Sequence, residues 1–291
     1  MKVDKLRTVI IYIIIILLGL VCLLPLLNIV AISFSSSAAV EGNMVGLIPV
    51  GFSTAAYKKI LEDSQFWHSF LISVERVVLA LIINFVLIVL MAYPLSKTNA
   101  QFRGRNIYAN LMIFAMLFNG GMIPTFLVVK SYGLLNTVWA LVLPGAVPIF
   151  NVILVMNFFA AVPKELEEAA FIDGANPLQV LTKIFIPISK PVLATVSLFS
   201  IVGSWNDFYS GLIYMSKAAY YPLMTYIQSL QINVEDLIKQ GDLSAVVDSA
   251  SLGNTNLNAA KIVIAVIPLL LIYPLLQRYF VSGIVVVSVN G

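Results

Sequence analysis

Long apolar runs alternate with short polar segments along this chain. Six of the runs are long enough to cross about 30 Å of hydrocarbon at 1.5 Å per residue. They cover about 9–32, 70–95, 107–129, 138–159, 191–213 and 260–280. Each predicts a membrane-spanning helix, so the expected architecture is all-α, with a single transmembrane domain over 1–291. The first run is about 24 residues long, and a signal-peptide core is roughly 7–15. It therefore predicts a retained span, and no soluble domain is expected on either side of the membrane body.

Breakers mark several runs: Gly120, Gly121 and Pro124 in the third, Pro144 and Pro148 in the fourth, Pro268 and Pro274 in the sixth. Such bends are tolerated where neighbouring helices or water satisfy the freed backbone groups. They suit a bundle that lines a cavity, and equally kinks with a packing role.

Composition excludes a water-soluble globule. Of 291 residues, 60% are hydrophobic and 11% charged, and the mean hydropathy is +0.98. Soluble domains carry about 25% charged residues. A net charge of +3 makes no case for nucleic acid. One cysteine, Cys22, rules out an internal disulfide, and its flanking residues lack the small-residue pattern of a lipid-attachment site. One histidine, His68, argues against a histidine metal centre or relay, so no metal ligands and no catalytic residues are assigned.

Basic residues set the orientation. Lys2, Lys5 and Arg7 precede the first run; Lys97, Arg103 and Arg105 follow the second; Lys164, Lys183 and Lys190 follow the fourth; Arg278 follows in the sixth. These segments are expected on the cytoplasmic side, with both termini. The outer segments, 33–67 and 214–258, are docking surfaces rather than domains. Within the second, 224–239 predicts a short amphipathic helix and 253–256 a turn back to the membrane.

The polar segment 161–190 carries the strongest local signals. Pro163 suits a first helical turn, and Glu165, Glu167 and Glu168 complement the positive end of the helix dipole. Ala169 and Ala170 form a low face that another surface can approach. Gly174 ends the helix, Asn176 and Pro177 open a second one, and Leu178, Val180, Leu181 and Ile184 would be its apolar face, closed by Pro187. This predicts a helix–turn–helix knob that holds another protein.

The spacing Glu168-Ala169-Ala170, three residues, Gly174, nine residues, Ile184, one residue, Ile186-Pro187 resembles the EAA loop of binding-protein-dependent ABC importer permeases. Ile186 stands where that pattern has leucine. The six runs, Trp205-Asn206-Asp207 and Gln277-Arg278-Tyr279-Phe280-Val281 resemble the carbohydrate, maltose-type branch. Phe118 to Pro124 and Tyr132 to Thr137 resemble a subgroup importing acidic or complex oligosaccharides. The tail 287–291 departs from the family's more basic ending.

The resemblance implies a type I importer permease fold in a bacterial cytoplasmic membrane. It also implies that 161–190 is a coupling hairpin resting on an ATPase. Glu168 would make a polar contact there, Ala169 and Ala170 would pack into a groove, Gly174 would set the bend, and Ile184 and Pro187 complete the motif. A second permease, two ATPases, an extracytoplasmic solute-binding protein and a sugar or oligosaccharide would be the partners. ATP and magnesium would sit on the ATPases, since no Gly-rich phosphate loop occurs in this chain.

Asp207 lies within an apolar run, where carboxylates face wet cavities or bond neighbouring helices. With Trp205, Asn206 and Tyr209 it could form part of a sugar path, or it could make a structural contact. Glu75 and Arg76 are expected near the outer rim of the second run. Two alternatives stand beside a sugar importer: an importer permease for another solute, and an ion-coupled transporter working alone. Such transporters tend to show internal repeats and several intramembrane charges, neither of which is evident here.

Overall fold

The computed structural model describes residues 2–118, 120–230 and 255–287, and side chains over 7–118, 120–230 and 255–274. The described residues are helical or irregular. Their contacts form two compact units, Met1–Trp67 with Tyr226–Pro268 and His68–Thr225 with Leu269–Gly291.

The first unit starts with α1 (Lys2–Ser33), a helix with no amphipathic face. None of the residues in its most apolar window is buried by the rest of the protein, as expected where lipid or another subunit is the solvent. Short helices α2 (Ser37–Glu41) and α3 (Ala55–Glu62) follow. Phe34 stacks on Tyr57 and Phe52, at ring separations of 4.8 and 5.7 Å.

A polar triad ties this unit together. Lys261 Nζ lies 2.8 Å from Asp63 and donates to Tyr226 Oη at 3.1 Å, while Tyr226 Oη donates to Asp63 at 2.9 Å. Asp63 also accepts from the Phe66 amide at 3.0 Å, capping the helix that starts beside it. Burial pushes the Asp63 carboxyl up, but hydrogen bonds from Lys261, Phe66 and Tyr226 outweigh it and hold the group below the ordinary carboxylate value.

The second unit is organised by α4 (Ser64–Leu95), which starts six residues before the expected boundary. The third run is two helices, α5 (Arg105–Leu117) and α6 (Met122–Ser131), broken where Gly120 and Gly121 fall. The fourth is α7 (Val138–Val142), a 3₁₀ turn at Leu143–Gly145 and α8 (Ile149–Ala160), bent by 47°. The hairpin comprises α9 (Lys164–Ile172), α10 (Pro177–Val180), a π turn at Leu181–Phe185 and α11 (Ile186–Ile188). The fifth run is α12 (Lys190–Asn206) and α13 (Tyr209–Tyr214), parted at Asp207. The last helix, α14 (Thr255–Val287), belongs to the first unit as far as Pro268 and runs through Pro268 and Pro274 without a break.

Among the described residues, three helices are long and apolar enough to cross a membrane, or up to six if each bent pair counts as one span. Residues 224–230 of the expected amphipathic stretch are helical; the remainder, and the start of the expected turn at 253–254, lie outside the described residues.

One apolar core sits at the hairpin end of the second unit. Ile88, Val89, Ala92 and Leu95 of α4 pack with Val152, Val155 and Phe159 of α8, with Val180, Leu181 and Phe185 of the hairpin, and with Val192, Leu193 and Val196 of α12. The hairpin is therefore seated on three long helices rather than suspended from two. A smaller cluster joins Val129, Ala140 and Leu141 to Tyr214 and Met215. Between α6 and α7, Asn136 takes a positive φ of 62° and its side chain accepts from the Ser216 amide at 2.7 Å. Asn tolerates that conformation better than most residues, so the Tyr132–Thr137 motif has a structural reason: it docks this turn on 214–216.

Candidate coupling surface and polar chamber

Local chemistry builds the hairpin as expected at its turn. Gly174 has φ +80°. Its amide donates to Phe171 O at 3.0 Å and the Ala175 amide donates to Ala170 O at 2.9 Å, the paired bonds of a Schellman ending. Asn176 and Gln179 then form a reciprocal capping box, both bonds 2.9 Å.

The second helix differs from the expectation. Leu178 is 62% exposed and Ile184 half-buried, whereas Val180, Leu181 and Phe185 are buried. The π turn inserts about one extra residue into the helical repeat, which rotates the buried face off the 3.6-residue pattern. Pro187 does not close the helix either: helix continues to Ile188, and the break to α12 falls at Ser189, with an angle of 84°.

The free side of the knob exposes Glu168, Ala169, Phe171, Ile172 and Leu178, with Ile172 86% exposed, while Ala170 is half-buried. Beside it lies a cleft of about 490 Å³ lined by Ala170, Gly174, Gln179, Lys183 and Ile184 among others. An apolar patch of this kind beside an acidic residue is a docking surface in chemical character. Pro187 is exposed.

Glu167 faces the other way and is buried. Its carboxylate lies 2.7 Å from Lys97 Nζ, just beyond the end of α4, and 3.5 Å from Tyr93 Oη. Lys97 Nζ sits 4.1 Å from the Tyr93 ring centre and 4.2 Å from that of Phe185, a cation between two aromatic faces. Burial pushes the Lys97 ammonium below its ordinary value, opposed by Glu167.

Asp207 lies at the break between α12 and α13. Its carboxylate pairs with Arg76 of α4, and Arg76 Nη1 also donates to the Asp207 carbonyl at 2.9 Å. The Ser210 amide donates to the other carboxylate oxygen at 3.1 Å. Both residues line a chamber of about 170 Å³ with Asn84, Gly145, Ser204 and Ser210 among others. Trp205 is buried edge-on against Phe70 at 5.6 Å, Asn206 is exposed, and Tyr209 is exposed and donates to Met122 Sδ at 3.0 Å. The structure thus does not gather Trp205, Asn206 and Tyr209 around Asp207's chamber.

Residues 48–286 match the family described as the inner membrane component of binding-protein-dependent transport systems. The chain belongs to that family. This inner membrane component is 41% identical over 273 residues to the protein LplC of Bacillus subtilis, covering 94% of this chain and 91% of that protein. It is 39% identical over 288 residues to the Bacillus subtilis polygalacturonan/rhamnogalacturonan transport system permease protein YtcP, covering 99% of each. A crystal structure of a bacterial ABC transporter involved in the import of the acidic polysaccharide alginate matches with TM-score 0.84 at 32% identity, over 96% of this chain and 98% of that one. The component is accordingly a multi-pass inner membrane protein of the type I permease fold.

Arg76, expected near the outer rim of the second run, is paired within the protein rather than solvated. With α4 starting at Ser64, it lies about 18 Å along the helix at 1.5 Å per residue and is only 4% exposed. A lone cation and a lone anion in two apolar runs were the available signal that they pair.

Proposed function

We propose that this chain forms half of the translocation pathway of an ATP-driven importer for an oligosaccharide, and takes its drive through the 161–190 hairpin. The observation that carries this is the hairpin's division of labour: one face packed onto α4, α8 and α12, the other exposing Glu168, Ala169 and an apolar patch. A rigid knob with that character transmits force rather than closing a loop. Glu168 makes the polar contact with an ATPase, Ala169 and Ala170 let its groove approach, Gly174 sets the bend, Ile184 lines the cleft beside it, and Pro187 completes the motif.

Two ATPases holding ATP and magnesium, a second and different permease chain, and an extracytoplasmic solute-binding protein complete the assembly. The chain itself is non-catalytic. The hairpin side and both termini face the cytoplasm, in keeping with the basic residues there. The names of the polygalacturonan/rhamnogalacturonan permease and the alginate importer support an acidic oligosaccharide as cargo. The Asp207 chamber, with Trp205, Asn206 and Tyr209 near it in sequence though not in its lining, is this chain's candidate share of the path.

The test is uptake of a labelled oligogalacturonide by cells with and without this gene, with recovery of the ATPase on the tagged permease. Loss of uptake and co-purification of the ATPase are expected. A permease that recovers no ATPase refutes the coupling role; unchanged uptake refutes the cargo.

A further inference from the structure

We propose that Lys97 and Glu167 form a tie that carries the hairpin's displacement into α4. The hairpin is covalently continuous with α8 and α12, but α4 is remote in sequence. It is reached at this point through four side chains from three elements: Tyr93 and Lys97 at the end of α4, Glu167 of α9, and Phe185 of the π turn. The inference rests on the coupling role of the hairpin and assigns the residues that pass its motion onward.

The geometry is that of a stiff joint. The Lys97–Glu167 pair is short, at 2.7 Å, and its side chains are 12% and 11% exposed. Screening by salt is weak for a pair so enclosed. The ammonium is also held between the Tyr93 and Phe185 faces, whose rings meet edge-on at 5.1 Å. At the α4 end, the Lys97 amide donates to Pro94 O at 3.2 Å and Arg105 Nε donates to Leu95 O at 2.9 Å, so Lys97 is fixed to the helix terminus.

Glu167 and Glu168 are neighbours with opposite aspects. One is buried toward α4, and the other is exposed on the docking face. A push on the outer residue therefore reaches the inner one through a single peptide unit. A purely apolar contact there would slide; a charged pair clamped between rings resists both separation and shear.

Lys97 and Glu167 act as positioning residues, so the test must separate loss of transmission from loss of shape. The full importer is assembled with Cys22→Ser in this chain, and a nitroxide is placed in turn on the hairpin (Lys164→Cys) or on α4 (Val86→Cys). Spectra are compared without nucleotide and after trapping with ATP and vanadate. Both labels are expected to respond in the parent. In Glu167→Gln and in Lys97→Met the hairpin response is expected to persist and the α4 response to fall by at least about five-fold. The exchanged pair Lys97→Glu/Glu167→Lys is expected to recover most of it.

An α4 response unchanged in both single variants would overturn the tie, as would an exchanged pair no better than the singles. Loss of both responses in the single variants would also overturn it, since the pair would then only hold the hairpin in shape. A parent importer with a silent hairpin label would instead count against the coupling role itself, and would take the tie with it.

Discussion

Arg76 holds Asp207 twice, once through the carboxylate and once through the backbone carbonyl, and so joins α4 to the gap between α12 and α13. The carbonyl at a broken helix has lost its usual partner, and the guanidinium replaces it. Removing one member of a buried pair typically costs about 3–5 kcal/mol, because the other charge is left uncompensated. Arg76→Met and Asp207→Ala should each lower the melting temperature of the purified protein in detergent, and the apolar pair Arg76→Met/Asp207→Leu should recover part of the loss. If Asp207 also borders the sugar path, the recovered double variant will still transport poorly. Full uptake by that variant would leave Asp207 with a structural role alone.

At the hairpin turn, Gly174 has open space where a Cβ would go, so its requirement is conformational. With φ at +80°, a side chain costs about 1–2 kcal/mol. Gly174→Ala should reduce uptake and ATPase recovery while membrane insertion stays normal, and Gly174→Asn should be milder. Glu168→Lys should abolish ATPase recovery without changing the hairpin. These are read by co-purification and membrane fractionation.

Gly211 is required for the opposite reason. A Cβ there would fall 2.1 Å from Thr225 Oγ1 and 2.8 Å from Thr225 Cβ. Thr225 is fully buried and donates to Phe208 O at 2.8 Å, so it cannot swing aside cheaply. Gly211→Ala is expected to lower the yield of folded protein severalfold by size-exclusion fluorescence. Thr225→Ala in the same chain should recover only part, since its Cβ remains.

Much of the hairpin was legible because its signals are local. Asn176 three residues before Gln179, and Gly174 after an acidic helix, each act within one turn of chain. The buried face was not legible, since a π turn leaves no mark in periodicity and moved it from Leu178 to Phe185. Lys97–Glu167 was illegible as a pair: its members lie 70 residues apart, and only packing brings them together, whereas Arg76–Asp207, 131 residues apart, left only the hint of two lone opposite charges in apolar runs. Glu167 in particular read as one of three acids favouring a helix start, until its neighbours distinguished it.

The Asp63 triad predicts a pH response. The folded carboxyl titrates below its ordinary 3.8, so its contribution to stability is complete above that value and is lost as pH falls through the folded value. Thermal stability in detergent between about pH 5 and pH 3 should therefore drop more in the parent than in Asp63→Asn, by the linkage between protonation and folding. Equal losses would mean that the triad contributes nothing to acid sensitivity.

The widened turn at Leu181–Phe185 gives the chain a spare unit of length next to the proposed coupling surface. Deleting Thr182 would let ordinary winding resume, and because the wide turn already absorbs the additional residue, the helix before it would keep its orientation relative to α12 to within a fraction of one residue's step of about 100°. A shortened protein of this kind is expected to insert and persist in the membrane with its knob still aimed as in the parent.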